Sequence, residues 1–199
     1  MVDLIDEAIV ATAKREFLRH GYDGAAFARI ARQLGVAPNT LYRFFKGKVE
    51  LFVAVYEAWA ADERAVLAKH LARRSAVPEI VEMSIERRTQ GLPFRRSVRW
   101  LAHEEPQVRR AVAQARLATM EMLKAWLGAP VEDEALAVDL LLFEQLATAV
   151  AEGEFADLGL TQARARERMT AILARWRIRA APSNDDAVAT QRGVGGRGS

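Results

Sequence analysis

Along almost the whole chain apolar residues return every three or four positions, the spacing that lays a stripe down one face of an α-helix. No run alternates with period two between turn residues. The pattern therefore predicts an all-α fold. The first helix is expected from about Asp3 to His20, with Ile9, Ala13 and Phe17 on one stripe and Gly21 placed to end it. A second, short helix sets Phe27, Ile30, Ala31 and Leu34 at i, i+3, i+4 and i+7 and stops at Gly35. Pro38 fits the first turn of a third helix, where its missing N–H costs nothing. A long apolar helix follows from Lys48 to about Arg73. Pro78, Gly91 with Pro93, Pro106, Gly128 with Pro130, and Gly159 divide the rest into helices near 78–90, 94–104, 107–127, 131–153 and 160–180, eight or nine in all. After Pro182 the stretch SNDDAVATQRGVGGRGS loses this periodicity and is rich in Gly and Ser, so residues 182–199 are expected to be a disordered tail.

The third helix carries two chemistries. At 100° per residue, Leu41, Phe44 and Phe45 share one face, while Asn39, Tyr42, Arg43 and Lys46 gather on the other. The aromatic face suits a core. The polar face suits a DNA major groove: Asn can pair with adenine, Arg with guanine, and Tyr, Thr and Lys with phosphates. The second helix, the tight GVAP turn and the third helix have the length and spacing of a helix-turn-helix.

Charge distribution agrees with an anionic partner for this end of the chain. The net charge is only +3, but residues 9–48 hold eight Lys or Arg against two acids. Residues 131–157 hold eight acids and no Lys or Arg, and residues 160–180 hold six Arg against one Glu. With 199 residues and 51% hydrophobic content, the chain is long enough for a small domain joined to a larger one with a substantial core. It has no cysteine, which excludes disulfides, thiolate metal sites and a cysteine nucleophile, and fits a reducing compartment. MVDLIDEAIV has no basic segment before a long apolar run, and no stretch of about 18 apolar residues occurs, so neither a signal peptide nor a membrane span is expected. The cytoplasm is the expected location.

Residues 9–56, IVATAKREFLRHGYDGAAFARIARQLGVAPNTLYRFFKGKVELFVAVYE, closely resemble the DNA-binding domain of the TetR family of bacterial transcriptional regulators. The resemblance lies in Phe17 with Gly21-Tyr22, Ile30-Ala31, Gly35-Val36, the run Thr40-Leu41-Tyr42 through Phe45, and Lys48 with Leu51-Phe52. It implies three N-terminal helices that bind operator DNA, followed by a divergent helical domain that dimerises and commonly binds a small effector. By position, Thr40, Tyr42 and Lys48 look like phosphate contacts, and Ala37, Pro38, Asn39 and Arg43 like the base-facing set. The family often has Thr or Ser at the positions of Ala25 or Ala26, and a polar residue at that of Ala37, so a helix cap is missing here. Ala28 replaces a frequently basic position, and Arg29 is the expected substitute. The stretch RRSVRWLAHEEPQVRRAV bears a faint resemblance to the C-terminal half of AcrR-type members.

Three domain-level segments are thus expected: 1–47 for DNA, 48–181 for effector binding and dimerisation, and the tail. No cofactor or metal is implied. GVGGRG lacks the strand and helix a dinucleotide loop needs, His103-Glu104-Glu105 has no second His at i+4, and Glu104-Glu105 has no nucleophile beside it, so no enzyme is expected. For an apolar or aromatic effector the candidate pocket residues are Trp59, Phe94, Trp100, Met120, Trp126 and Phe143, with Arg96, His103 or Gln145 as polar anchors. Two stripes, Leu136, Leu140, Phe143 and Ala147, and Ile172, Leu173 and Trp176, are the expected dimer contacts, with the chain's own core as the alternative destination for part of this surface. The leading expectation is a ligand-responsive repressor that binds a palindromic operator as a homodimer. Its rival is a helical sensor or protein-interaction module without sequence-specific DNA binding.

Overall fold

Ten helices and no strand form the described residues of this computed structural model, which are 2–128 and 131–179. The predicted tail, with its GVGGRG, lies outside them. In chain order the helices are α1 (Val2–Gly24), α2 (Phe27–Leu34), α3 (Pro38–Leu41), α4 (Lys48–Ala72), α5 (Val77–Gln90), α6 (Leu92–Glu104), α7 (Pro106–Leu127), α8 (Asp133–Glu152), α9 (Glu154–Asp157) and α10 (Ala163–Arg179). Proline stands in the first two positions of α3, α5, α6 and α7, as its fixed φ and absent N–H favour. The single turn α9 was not anticipated, because four residues are too few to show a period.

Gly21 interrupts α1 with φ 65° and ψ −171°. A Cβ at this position would lie 2.9 Å from Ser97 Oγ and 3.2 Å from the Pro93 carbonyl oxygen, so the turn that docks α1 on α6 requires glycine. The backbone N–H of Tyr22 donates to Ser97 Oγ at 2.8 Å and fastens that contact.

Two hydrophobic clusters hold the helices together. The first joins α1, α2, α3, α4 and α6 around Phe17, Ile30, Leu41, Phe52 and Phe94. The second joins α5, α7, α8 and α10 around Val81, Leu123, Leu136, Met169 and Ile172. Each large side chain buried in this way contributes about 1.5–3 kcal/mol.

For the two stripes expected at a dimer contact, the second cluster takes the alternative, the chain's own core. Leu136, Leu140, Phe143, Ala147, Ile172, Leu173 and Trp176 are all buried within the single chain. The reason is that α10 packs against both α8 and α5. The opposite charges of these segments meet inside the subunit: Arg175 pairs with Asp139 at 2.7 Å, and Trp176 Nε1 donates to the same carboxylate at 3.1 Å. The apolar residues that α8 leaves in solvent are Val138, Leu141 and Leu142, at i, i+3 and i+4 on its other face. Among the described residues no helix is long and apolar enough to cross a membrane.

Candidate nucleic-acid interface and ligand cavity

The turn between α2 and α3 is set by the backbone. Gly35 adopts φ 70° and ψ 24°, and the N–H groups of Gly35 and Val36 return to the carbonyls of Arg32 and Ala31, closing the end of α2. α3 then starts at Pro38, and its helical bonding runs on beyond Leu41: Phe45 N–H donates to the Leu41 carbonyl at 2.9 Å. Leu41 and Phe45 are buried and Phe44 half-buried, while Asn39, Tyr42, Arg43 and Lys46 are exposed. The two faces expected from the sequence are therefore both present. Ala37 and Pro38 are exposed at the start of the helix and Thr40 is half-buried.

Second contacts hold several of these groups in place. The Tyr42 ring rests on Phe27 with centroids 5.0 Å apart, so its phenol end projects from a fixed base. Lys48, the first residue of α4, lies with Nζ 4.4 Å from the centroid of the Tyr22 ring. Burial lowers its pKa from the ordinary lysine value and Asp23 opposes that shift. Glu50 accepts from the Lys46 backbone N–H at 2.6 Å and ties the end of the α3 turn to α4. Ala26 caps α2 without any side-chain bond, as the alanine there implies. Arg29 does not stand free: it pairs at 3.2 Å with Glu16, a buried carboxylate that also accepts from Gln33. Among the described residues Arg32, Arg43 and Lys46 make no ion pair, so their charge is open to an incoming anion.

A cavity of about 250 Å³ lies where the two hydrophobic clusters meet. Tyr56 and Trp59 of α4 line its first-cluster side, and Leu71, Ile80, Leu123, Leu140 and Leu173 its second-cluster side. Charged groups enter it as well. Glu63 receives Arg87 at 2.5 Å and Arg95 at 2.9 Å, and Glu144 receives Arg116 at 3.0 Å. Arg95 also stacks its guanidinium 4.3 Å from the centroid of Trp59. Burial pushes the Tyr56 phenol up to about 12, so it remains a hydrogen-bond donor at neutral pH.

Of the residues expected to form a pocket, Trp59, Phe143 and Gln145 line this cavity. Phe94 is wholly buried between Phe52, at 5.0 Å, and Trp59, at 5.5 Å, and faces the first cluster. Met120 is buried in the second cluster. Trp126 borders a separate crevice of about 10 Å³ beside Leu71 and Trp176. Arg96 is on the outer surface with Glu152 at 3.3 Å, Trp100 is half exposed next to Tyr22, and His103 is exposed. Beside the neutral polar Ser84, Thr119, Gln145 and Thr148, the charged groups of the cavity are arginines and glutamates. One local signal pointed to them: Arg88 continues the buried stripe Val81, Ser84 and Ile85 of α5, where an unpaired charge is out of place. Among the described residues no group of three or more His, Asp or Glu is placed to hold a metal ion.

Residues 9–55 match the family model described as bacterial regulatory proteins, tetR family. A TetR-family transcriptional regulator from Mesorhizobium loti shares the fold with a TM-score of 0.63 at 19% identity, over 88% of this chain and 96% of that one. One from Rhodococcus sp. gives 0.61 at 15% identity, over 85% and 96% of the two chains. One from Streptomyces coelicolor gives 0.60 at 16% identity, over 94% and 86%. No curated protein sequence matches the chain. Residues 9–55 thus carry the segment that the tetR family model describes, and the helical body as a whole shares the fold of these solved regulators.

Proposed function

We propose that the protein is a ligand-responsive repressor of the cytoplasm that binds a palindromic operator as a homodimer. The observation that carries the DNA-binding part is the exposed set Asn39, Tyr42 and Arg43 on a helix whose other face is buried. Arg43 and Asn39 reach base edges in this reading; Thr40, Tyr42, Lys46 and Lys48 meet phosphates, with Ala37 and Pro38 at the groove floor. Arg29 serves chiefly to brace α2 against Glu16. Dimerisation uses the outward α8 face of Val138, Leu141 and Leu142, and the two-fold axis presents two recognition helices to operator half-sites about 34–36 Å apart.

Ligand response needs a route from the cavity to α3. An aromatic ladder supports one: Phe17, Phe52, Phe94 and Trp59 follow one another with centroids 5.1, 5.0 and 5.5 Å apart, from α1 to the cavity wall. α6 carries Arg95 into the cavity and Ser97 to the end of α1, so a shift of this helix moves both. A ligand acts only if it prefers one position of α6 over another.

The test is DNA selection from a random pool, followed by affinity across a salt series on cognate and scrambled duplexes. Arg43→Ala is expected to cost about 1–3 kcal/mol on the cognate site and relax preference at one base position. Lys48→Ala is expected to weaken all DNA alike and lower the salt slope by about one per half-site. Equal behaviour of the two variants on both duplexes would break the division into reader and anchor. Failure to select any sequence would favour a sensor without specific DNA binding.

A further inference from the structure

The polar lining of the cavity is lopsided. Six arginines, Arg64, Arg87, Arg88, Arg95, Arg99 and Arg116, share it with two glutamates, Glu63 and Glu144. Four of the six have counterions: Arg87 and Arg95 on Glu63, Arg116 on Glu144, and Arg99 on Glu152 outside the lining. Among the described residues Arg64 and Arg88 make no ion pair. Arg88 is the more demanding case. Its Nε is fully covered and has no acceptor, and its Nη1 donates at 3.1 Å to the Ser84 carbonyl of its own helix. The Nε of Arg95 is orphaned in the same way.

A guanidinium has five N–H donors and keeps its charge in proteins, so one neutral acceptor leaves Arg88 far short of its capacity. A covered donor without an acceptor costs stability, and the charges of Glu144 and Glu63 act on Arg88 without forming an ion pair with it, so a ligand anion could add the missing acceptor. Burial lowers the pKa of both arginines, Arg95 to about 10 with Arg88 as its next-largest cause, so the two positive charges also repel each other. The charges of Glu144, Arg116, Arg95 and Arg64 all act on the Tyr56 phenol, and all of these groups line the cavity. Leu71, Ile80 and Leu173, from α4, α5 and α10, supply its apolar wall.

We propose that the effector is an amphipathic organic carboxylate, its anionic group met by Arg88 and its hydrocarbon or aromatic body laid along Leu71, Ile80 and Leu173. The inference rests on the cavity being the effector site and adds an anionic group to the largely apolar or aromatic ligand expected from the sequence. A monoanion fits better than a phosphate dianion, because Glu63 and Glu144 share the lining and would repel the second charge. At about 250 Å³ the space is near the small end of ligand cavities, which run from about 300 to 1,000 Å³.

The test titrates the full chain with decanoate, 4-phenylbutyrate and 1-naphthoate, each against its own primary amide, by calorimetry and by tryptophan fluorescence, to which Trp59 and Trp176 of the cavity wall contribute. At least one acid is expected to bind ten-fold or more tighter than its amide, the range of a charge-assisted hydrogen bond. In Arg88→Met that preference is expected to fall below about three-fold with the amide unchanged. The ligand-free variant is expected to melt higher than the parent, since an unpaired buried charge has gone. Arg88→Lys, which keeps a point charge without the planar fork, is expected to retain part of the preference. Amides that bind as tightly as acids would overturn the anion and leave the cavity as the effector site. No binding by either series would overturn both. A lower melting temperature in Arg88→Met with an unchanged acid-to-amide ratio would assign Arg88 a structural role and overturn its part.

Discussion

The two hydrophobic clusters of this protein are packed to different ends. In the first, Phe17 meets Phe52 edge to face and Phe52 meets Phe94 at a tilt, Ala13, Ala25 and Ala31 let helices approach closely, and the buried carboxylate Glu16 is satisfied by Arg29 and Gln33. The second stops short of closure: it borders a cavity of about 250 Å³ that Arg88, its Nε without an acceptor, helps to line. Dense packing makes the position of α3 reproducible, which a base-reading surface needs. Open space and unsatisfied charge cost stability and leave a place where a ligand can add both contacts and countercharge. One continuous helical body thus combines a closed core beneath α3 with an open one around the cavity.

The largest expected effect is in the first cluster. Phe52 meets Phe17, Tyr22 and Phe94, so Phe52→Ala is expected to destabilise the protein by about 3–5 kcal/mol in calorimetric melting. A loss below about 1 kcal/mol would mean that this cluster is as loose as the other.

Small-to-large substitutions sharpen the comparison directly. Ala31 is fully buried, and Ala31→Leu is expected to overpack and cost about 1–3 kcal/mol. Ala115 lines the cavity, so Ala115→Leu has room and is expected to change stability by less than about 1 kcal/mol while weakening any cavity ligand. Similar costs at the two alanines in chemical denaturation would contradict the difference in packing.

The smallest effect on stability is expected outside both clusters. Leu141→Asn on the open face of α8 is expected to leave subunit stability within about 0.5 kcal/mol, as for surface positions generally. In sedimentation velocity the same variant is expected to move the protein toward monomer, whereas an unchanged dimer would place the interface elsewhere.

Much of the N-terminal region was legible because its signals are local. The turn at Gly35, the proline that opens α3 and the alternation of Leu41 and Phe45 with Asn39 and Arg43 all fall within a dozen residues. The α8 and α10 stripes were legible as stripes but not in their destination. A stripe of Leu140 and Phe143 looks the same whether it meets a second subunit or, as here, α5 and α10 of its own chain. The pocket residues were least legible. Phe94, Met120 and Trp126 share the composition of a pocket wall, and only packing put them in a core or at another crevice.

The sequence by itself determined an all-helical chain, the boundaries that proline and glycine impose, and the two faces of α3, since helical periodicity and backbone restriction act over a few residues. Tertiary structure alone decided that Arg29 braces Glu16, that Arg96 faces solvent, and that Arg88 and Arg95, on different helices, converge on one cavity. The physical reason is that a residue's charge and size are its own, whereas its counterion, its burial and the space beside it are properties of helices brought together from far along the chain.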